Sequence, residues 1–513
     1  MPNAANVQFN IKNFTPGISV PQPGIFYVLG LTIRGPVEQP GLEVSLIRSW
    51  PQFERLFGGL MGTSDFPLLC KRALKRGAQL RVCRVDAASV AAVKATGIPV
   101  TNTTTPVTLF TATPKYKGAN YNNINITTAA PSNGDDTNYW NMTISHALEP
   151  GLNEVYENIP GFIIGTGGEA DNQTCLDEII AMSQLLDFAY ADLSADADEP
   201  VPIAQAWGPF AGGVDPSGHV AGDYSGAFPT FDGVDDGMIM AIPEQDDDTL
   251  NSAGISYADA RKDLVFFVHL PNAEITSADL ITTRDTGIGD DSKYGAFFGG
   301  GIKLREERTL QEIQVSEMGD ILGIAAYVHS QFGEWYSLAG QTKGAVQDAI
   351  GVVNNFGTPG GFTDLNALAG VGINMMVHRN GITQLSGNFS GQYANDQEKY
   401  LSVVFLVLWM KRTLKPILET YLEDPCDPIT FQKIYYHLKP YLDKLSSPAY
   451  RAIYKYEYYG DQDANTIEDL QLNDKTDVQN GKYRIDLKVW AIPSLQELTF
   501  NLMLVQGEGV YIT

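Results

Sequence analysis

The sequence predicts an α/β fold, with a mixed-sheet core built from both ends of the chain around an inserted acidic α+β domain. Three observations carry that reading. The first hundred residues alternate apolar strand-like runs with amphipathic helical ones. From about Thr101 the texture changes to short runs rich in Thr and Asn, with turns such as SNGDD and DPSG. Then YADARKDLVFFVHLP, Tyr257 to Pro271, returns to a helix end followed by a buried strand.

In order along the chain, GIFYVLGLTI (Gly24 to Ile33) reads as a buried strand stopped at Arg34-Gly35-Pro36, where proline cannot continue a ladder. LEVSLI is a second strand. Ser49 and Pro51 open a helix, as cap and first-turn proline. A further helix starts near Ser64-Asp65 with Pro67 in its first turn, and stops at Gly77, before the strand QLRVCRV. Within the changed region NINITTAA and NYWNMTISHA read as strands, and LDEIIAMSQLLDFAY as a helix. Helices are expected near 395 to 422 and 429 to 446, then the strand YRIDLKVWAI. LSVVFLVLWM (Leu401 to Met410) is apolar all round, which predicts a buried core helix; no apolar run reaches the ~18 residues of a membrane span.

Charge is unevenly placed. The 513 residues carry a formal charge of −25, yet residues 118 to 260 hold 24 Asp and Glu and no Lys or Arg, so the rest sums to 35 − 36 = −1. Such a block repels phosphate, which argues against direct nucleic-acid binding. The N-terminus lacks a basic region followed by an apolar one, so no signal peptide is expected. Cys70, Cys83, Cys175 and Cys426 form no CxxC pair, and read as four reduced thiols of a protein made in the cytoplasm.

Nothing in the chain spells out catalysis. GFIIGTGGEA (Gly161 to Ala170) lacks the Gly-Lys-Ser/Thr ending of a phosphate loop and reads as a tight turn. FDGVDDG, with Asp232, Asp235 and Asp236, does not match a calcium loop. The six histidines are scattered singly, so neither metal nor cofactor is expected. One basic feature stands out: Lys71, Arg72, Lys75 and Arg76 share one side of a helix. This is either a solvated face or a docking face for an acidic neighbour.

Both chain ends carry strand patterns. Val7, Phe9 and Ile11 alternate with polar residues in VQFNIK, and Leu498, Phe500, Leu502 and Leu504 alternate in LTFNLMLV. Either they fold back into their own sheet, or they are handed to neighbouring chains, since an unpaired apolar strand is a sticky edge.

The order of motifs resembles the contractile tail sheath proteins of bacteriophages and related injection systems. PGISVPQPGIFYVLGLTIRGPVEQP with SWPQFERLFGG is similar to that family's opening, and RGAQLRVCRV to the close of its first unit. KYKGANYNNINI resembles the Gly-x-x-x-Asn start of the inserted domain. MGDILGIAAYVHSQFGEWYSLAG resembles the signature helix with its Gly-x-Trp segment, Gly333-Glu334-Trp335. TDLNALAGVGINMMVHRNGI and DVQNGKYRIDLKVWAIPSLQELTFNLML resemble the closing stretches. After Gly381 the chain departs, with LSGNFSGQYANDQ in place of a Gly-x-Arg-Thr element.

The resemblance implies a structural, non-enzymatic subunit that polymerises as stacked, hexameric rings around an inner tail tube. Contraction would drive the tube through a target envelope. It implies baseplate and terminator or neck partners, no cofactor, no direct nucleic acid or membrane insertion, and a place in a virion tail or an injection particle. An α/β enzyme with an unidentified site is the remote alternative. The domains implied are a linking arm at 1–20, core at 21–105, the acidic outer insert at 106–255, core again at 256–495 and a linking strand at 496–513. The two terminal strands would be exchanged between subunits, by main-chain pairing with alternating side chains setting register. Lys411, Arg412 and Lys415 would face the tube, or else form a solvated helix end that favours cations.

Overall fold

Ile25–Gly30 is buried at all six positions because it runs inside a nine-stranded sheet. Gln79–Arg84 pairs with it in parallel on one side and Ile239–Ala241 on the other. Val265–His269, Gly295–Gly299 and Ile373–Arg379 continue the parallel order. Antiparallel strands finish both edges: Leu46–Ile47 at one, Ile382–Ser386 and then Ala345–Val346 at the other. Parallel strands covered on both faces carry continuous apolar runs, as VFFVH does. Strands from before and after the insert thus lie side by side, as expected of a core drawn from both parts of the chain.

The computed structural model describes residues 23–37, 45–102, 108–131, 138–162, 169–191, 201–272, 275–306, 310–394 and 398–494. Val7, Phe9, Ile11, Leu498, Phe500, Leu502 and Leu504 lie outside the described residues, as does most of GFIIGTGGEA. Contacts divide the described chain into two compact units, one of 24–404 with 493–494 and one of 405–492 with Pro23.

In the first unit the helix Phe66–Lys75 has a proline in its first turn and ends at Gly77, whose φ is +90°. Ala78 N–H bonds to Ala73 O and Gly77 N–H to Leu74 O, the paired bonds that satisfy a helix C-terminus. This helix packs on Met318–Gln331, where Gly319 and Gly323 allow close approach. A Cβ at Gly319 would lie 2.6 Å from Leu69 O, and one at Gly323 would lie 2.9 Å from Arg76 Cδ.

The insert carries two sheets of its own. Ile98–Thr101, Thr108–Pro114 and Leu186–Tyr190 form one; Ala206–Trp207, Ile124–Ala129, Tyr139–His146 and Glu154–Pro160 form the other. Its core of Val100, Phe110, Trp140, Leu176 and Phe188 shares no residue with the core under the nine-stranded sheet. LDEIIAMSQLLDFAY is not all helix: Glu169–Met182 is helical, and Leu186–Tyr190 is a strand paired with Thr108–Pro114. Ser183 makes the break, its Oγ accepting from the Leu185 and Leu186 amides.

The acidic stretch is divided by the fold. Fourteen of its acids lie between 118 and 210 and Asp215 lies at the junction, but the nine from 223 to 260 lie with the nine-stranded sheet. Tyr224, Phe228 and Phe231 are buried in that core with Tyr27 and Phe266. The two sheets of the insert lie within 98–210. Charge follows exposed loops, whereas buried aromatics decide which core a segment joins.

In the second unit Pro428–Ser446 is capped by Asp427, whose side chain accepts from Thr430 N–H. Ile434 and Leu438 of this helix pack with Ile417 of Leu401–Glu419 and with Tyr458. LSVVFLVLWM is largely buried, with Val407 an exposed exception at 55%. No described helix is long and apolar enough to cross a membrane.

Candidate functional site

The residues that invite a catalytic reading are spoken for in other ways. His269 is buried, and its Nδ1 lies 3.0 Å from Glu317 Oε1 and 3.3 Å from Ser316 Oγ. A Ser-His-acid relay needs serine and carboxylate on opposite ring nitrogens, and here both address one. Glu317 Oε2 instead accepts from Gly301 N–H at 3.1 Å, so the cluster pins a loop. FDGVDDG does not converge: Asp236 takes Arg81 at 2.6 Å and the Tyr27 hydroxyl at 3.2 Å, whereas Asp232 takes the Tyr257 hydroxyl at 2.7 Å. Among the described residues no group of three or more His, Cys, Asp or Glu is arranged to hold a metal ion.

The basic helix face is largely met inside the chain. Arg72 donates from Nε and Nη2 to the two oxygens of Asp320, at 2.7 and 2.9 Å, and reaches Asp348 at 3.0 Å. Lys75 also meets Asp348 at 3.0 Å, and Arg76 Nη2 donates to Ala345 O at 2.7 Å. Lys71 stands over the Trp50 ring at 5.7 Å. Arg72 is 10% exposed, its charge met by Asp320 and Asp348 of the same chain. The acids that answer this face lie more than 240 residues downstream, beyond the reach of local spacing.

Lys411, Arg412 and Lys415 lie on Leu401–Glu419. Lys411 and Lys415 are exposed and Arg412 is half-buried. Lys415 makes an i, i+4 pair with Glu419 at 3.6 Å. The structure therefore shows two solvent-facing cations one turn apart.

The second unit holds a two-stranded sheet. Ile453–Tyr459 pairs antiparallel with Asp486–Ala491, and neither strand has a further partner among the described residues. Its face is braced by side chains: Lys455 Nζ stands 3.9 Å over the Trp490 ring, and Lys488 Nζ stands 4.8 Å over Tyr459. Tyr483 stacks on Phe431 at 3.9 Å and donates to Gly460 O, tying the hairpin's long connection to the helix Pro428–Ser446. A two-stranded ribbon is marginal alone, and no described strand pairs with either of its outer edges. Nothing in YRAIYKYEYYG or YRIDLKVWAI alone reveals that these strands are open on both sides.

The fold of this chain is shared with solved contractile sheath proteins. No family model and no curated protein matches the chain. Among solved structures, the sheath tail protein from Listeria innocua matches with a TM-score of 0.57 at 14% identity, covering 92% of this chain and 95% of that one. The PVC sheath of an extracellular contractile injection system, in its contracted state, matches with a TM-score of 0.54 at 11% identity, over 98% and 97%. The contracted helical sheath of the anti-feeding prophage matches with a TM-score of 0.53 at 12% identity, over 98% of each chain.

Proposed function

We propose that this chain is the structural subunit of a contractile sheath, stacked in rings around an inner tube. The open hairpin of Ile453–Tyr459 and Asp486–Ala491, in a chain that matches solved sheaths from end to end, supports this reading most directly. Each hairpin accepts the VQFNIK strand and the LTFNLMLV strand of neighbouring copies, which extend the ribbon to a stable sheet by main-chain hydrogen bonds. Identical chains joined head to tail make an open helical assembly. On release the subunits shift largely as rigid bodies while the strands keep them linked. The work comes from the difference in packing between the two assemblies. Lys411 and Lys415 suit an acidic tube surface, and the ends of the assembly meet baseplate and terminator proteins. The particle is a phage tail or an injection machine; a capsid attached to the purified particle distinguishes them.

Electron micrographs of the purified protein test this. Tubes are expected from the full chain. A chain lacking residues 1–13, or one carrying Phe500→Asp and Leu502→Asp, is expected to remain a folded monomer. Tubes formed by both variants would refute strand donation; a full chain that stays monomeric at every concentration would refute the sheath reading.

A further inference from the structure

Two arginines, Arg34 and Arg84, lie where the body meets the insert, each with a side chain 1% exposed. Both belong to the body. Arg34 follows the strand Ile25–Gly30, and Arg84 ends the strand Gln79–Arg84. Arg34 is held there by Nη2 donating to Glu54 O at 2.6 Å and Nε to Arg55 O at 3.2 Å, carbonyls of the helix Trp50–Phe57. Its remaining nitrogen, Nη1, meets both oxygens of Glu149 in the insert at 2.7 Å. Arg84 donates from Nη2 to Asp215 Oδ1 at 3.0 Å and from Nη1 to Lys117 O at 2.8 Å.

Around Arg84 the chain is built for close approach. Gly118 has a φ of +135°, and a Cβ there would lie 2.8 Å from Asp215 Oδ1 and 3.2 Å from Arg84 Nη1. Asp215 Oδ1 also accepts from Ala119 N–H at 3.0 Å. Asn122 pairs both ways with Gly213, Nδ2 donating to its carbonyl and Oδ1 accepting from its amide, each at 2.9 Å. This is the physical content of the Gly-x-x-x-Asn motif.

Around these two points the junction also holds the pairs Lys117–Asp86 at 3.6 Å and Lys94–Asp187 at 3.8 Å. The chain leaves the body near 88–97 and returns near 211–218, joined by bridges Val90–Ser217 and Val93–Val214. The returning strand holds Gly212 and Gly218 at positive φ. The two hydrophobic cores share no residue across it. A thin, glycine-bearing neck fixes no orientation by itself.

We propose that Arg34–Glu149 and Arg84–Asp215 form a two-point latch that sets the orientation of the insert on the body, so that both move as one piece. One contact would leave a swivel; two remove it. Arg34 is already positioned by the Glu54 and Arg55 carbonyls, so the insert has only to supply Glu149 there. At the second point Asp215, on the returning segment, holds Arg84 and accepts from Ala119 N–H, while Arg84 donates to Lys117 O. Opening the latch leaves the Arg34 guanidinium buried without its counter-charge and breaks the bonds of Arg84 and Asp215 to Lys117 and Ala119, which penalises the open form. The inference depends on neither terminal strand and stands apart from the assembly reading.

The test uses the full chain with Glu149→Gln, Asp215→Asn, the pair, and Asp171→Asn as an exposed control. Amide hydrogen exchange is followed at the neck donors Val93, Thr96, Val214 and Ser217 and at strands in both cores. The double variant is expected to raise neck exchange about tenfold or more, with both cores and the control unchanged. Unchanged neck exchange overturns the proposal. Faster exchange throughout both cores overturns it too, because the pairs would then hold the fold rather than the orientation. If the double variant does not fold, the single variants decide: each should raise neck exchange about threefold with the cores protected, and no rise in either overturns the latch.

Discussion

Arg72 and Asp320 face each other through two parallel hydrogen bonds, at 2.7 and 2.9 Å, across the contact between the helices Phe66–Lys75 and Met318–Gln331. Both side chains are nearly excluded from water, at 10% and 4% exposure. Removing one partner strands the other, so Asp320→Ala should cost about 3–5 kcal/mol. Arg72→Met combined with Asp320→Leu should cost less than the sum of the single changes, because no charge is left uncompensated. Urea unfolding of Asp320→Ala, Arg72→Met, Asp320→Leu and the combined variant reads this directly.

The same helix contact is set by two glycines. Gly319→Ala brings a methyl group to 2.6 Å from the Leu69 carbonyl oxygen, and backbone cannot yield as a flexible side chain can. A loss of about 1–3 kcal/mol is expected. Gly323→Ala meets the mobile stem of Arg76 and should cost less, which thermal unfolding of the two variants would show.

His269 supplies a dependence on pH. Burial alone would lower its pKa, but the Glu317 carboxylate outweighs that and holds it above the ordinary value. A folded-state pKa raised above the unfolded one gives stability that is full below about pH 6.5 and fades as pH rises through the folded value. The destabilisation caused by His269→Gln should therefore be larger at about pH 5.5 than at about pH 9. An equal loss at both values would mean that His269 acts as a neutral hydrogen-bonding group.

Lys411 and Lys415 are exposed and lie one turn apart, so reversing both charges should leave the fold intact. Lys411→Glu with Lys415→Glu is expected to polymerise as hollow tubes that no longer retain an inner tube. Co-sedimentation with purified tube protein at low and high salt measures the loss, since exposed charge pairing is screened by salt.

The insert should be dispensable for the body. Thr96 N–H bonds to Ala211 O at 2.8 Å, so the two ends of the neck lie side by side and a short linker can close them. Replacing 98–210 by such a linker removes fourteen acids and should leave a folded chain that still assembles. A folded variant that forms no tubes would show that the insert takes part in the assembly.

Local sequence determined the elements whose signals are local. IFYVLG is apolar at every position because a parallel strand is covered on both faces; Pro67 and Gly77 bracket a helix through fixed φ and a left-handed turn. The run without Lys or Arg after Lys117, to residue 260, is likewise plain in the sequence, as is the Gly118-x-x-x-Asn122 spacing that resembles the family's entry into its insert. Tertiary structure decided the rest. Leu186–Tyr190 became a strand because Thr108–Pro114 offers it a ladder some seventy residues away. The acidic stretch split near 210 because Tyr224, Phe228 and Phe231 found space in the body's core. A helix face that reads as free cations is closed by Asp320, 248 residues from Arg72. Periodicity reports only the neighbours a residue has along the chain, whereas buried charges and sheet edges are completed by groups that folding alone brings near.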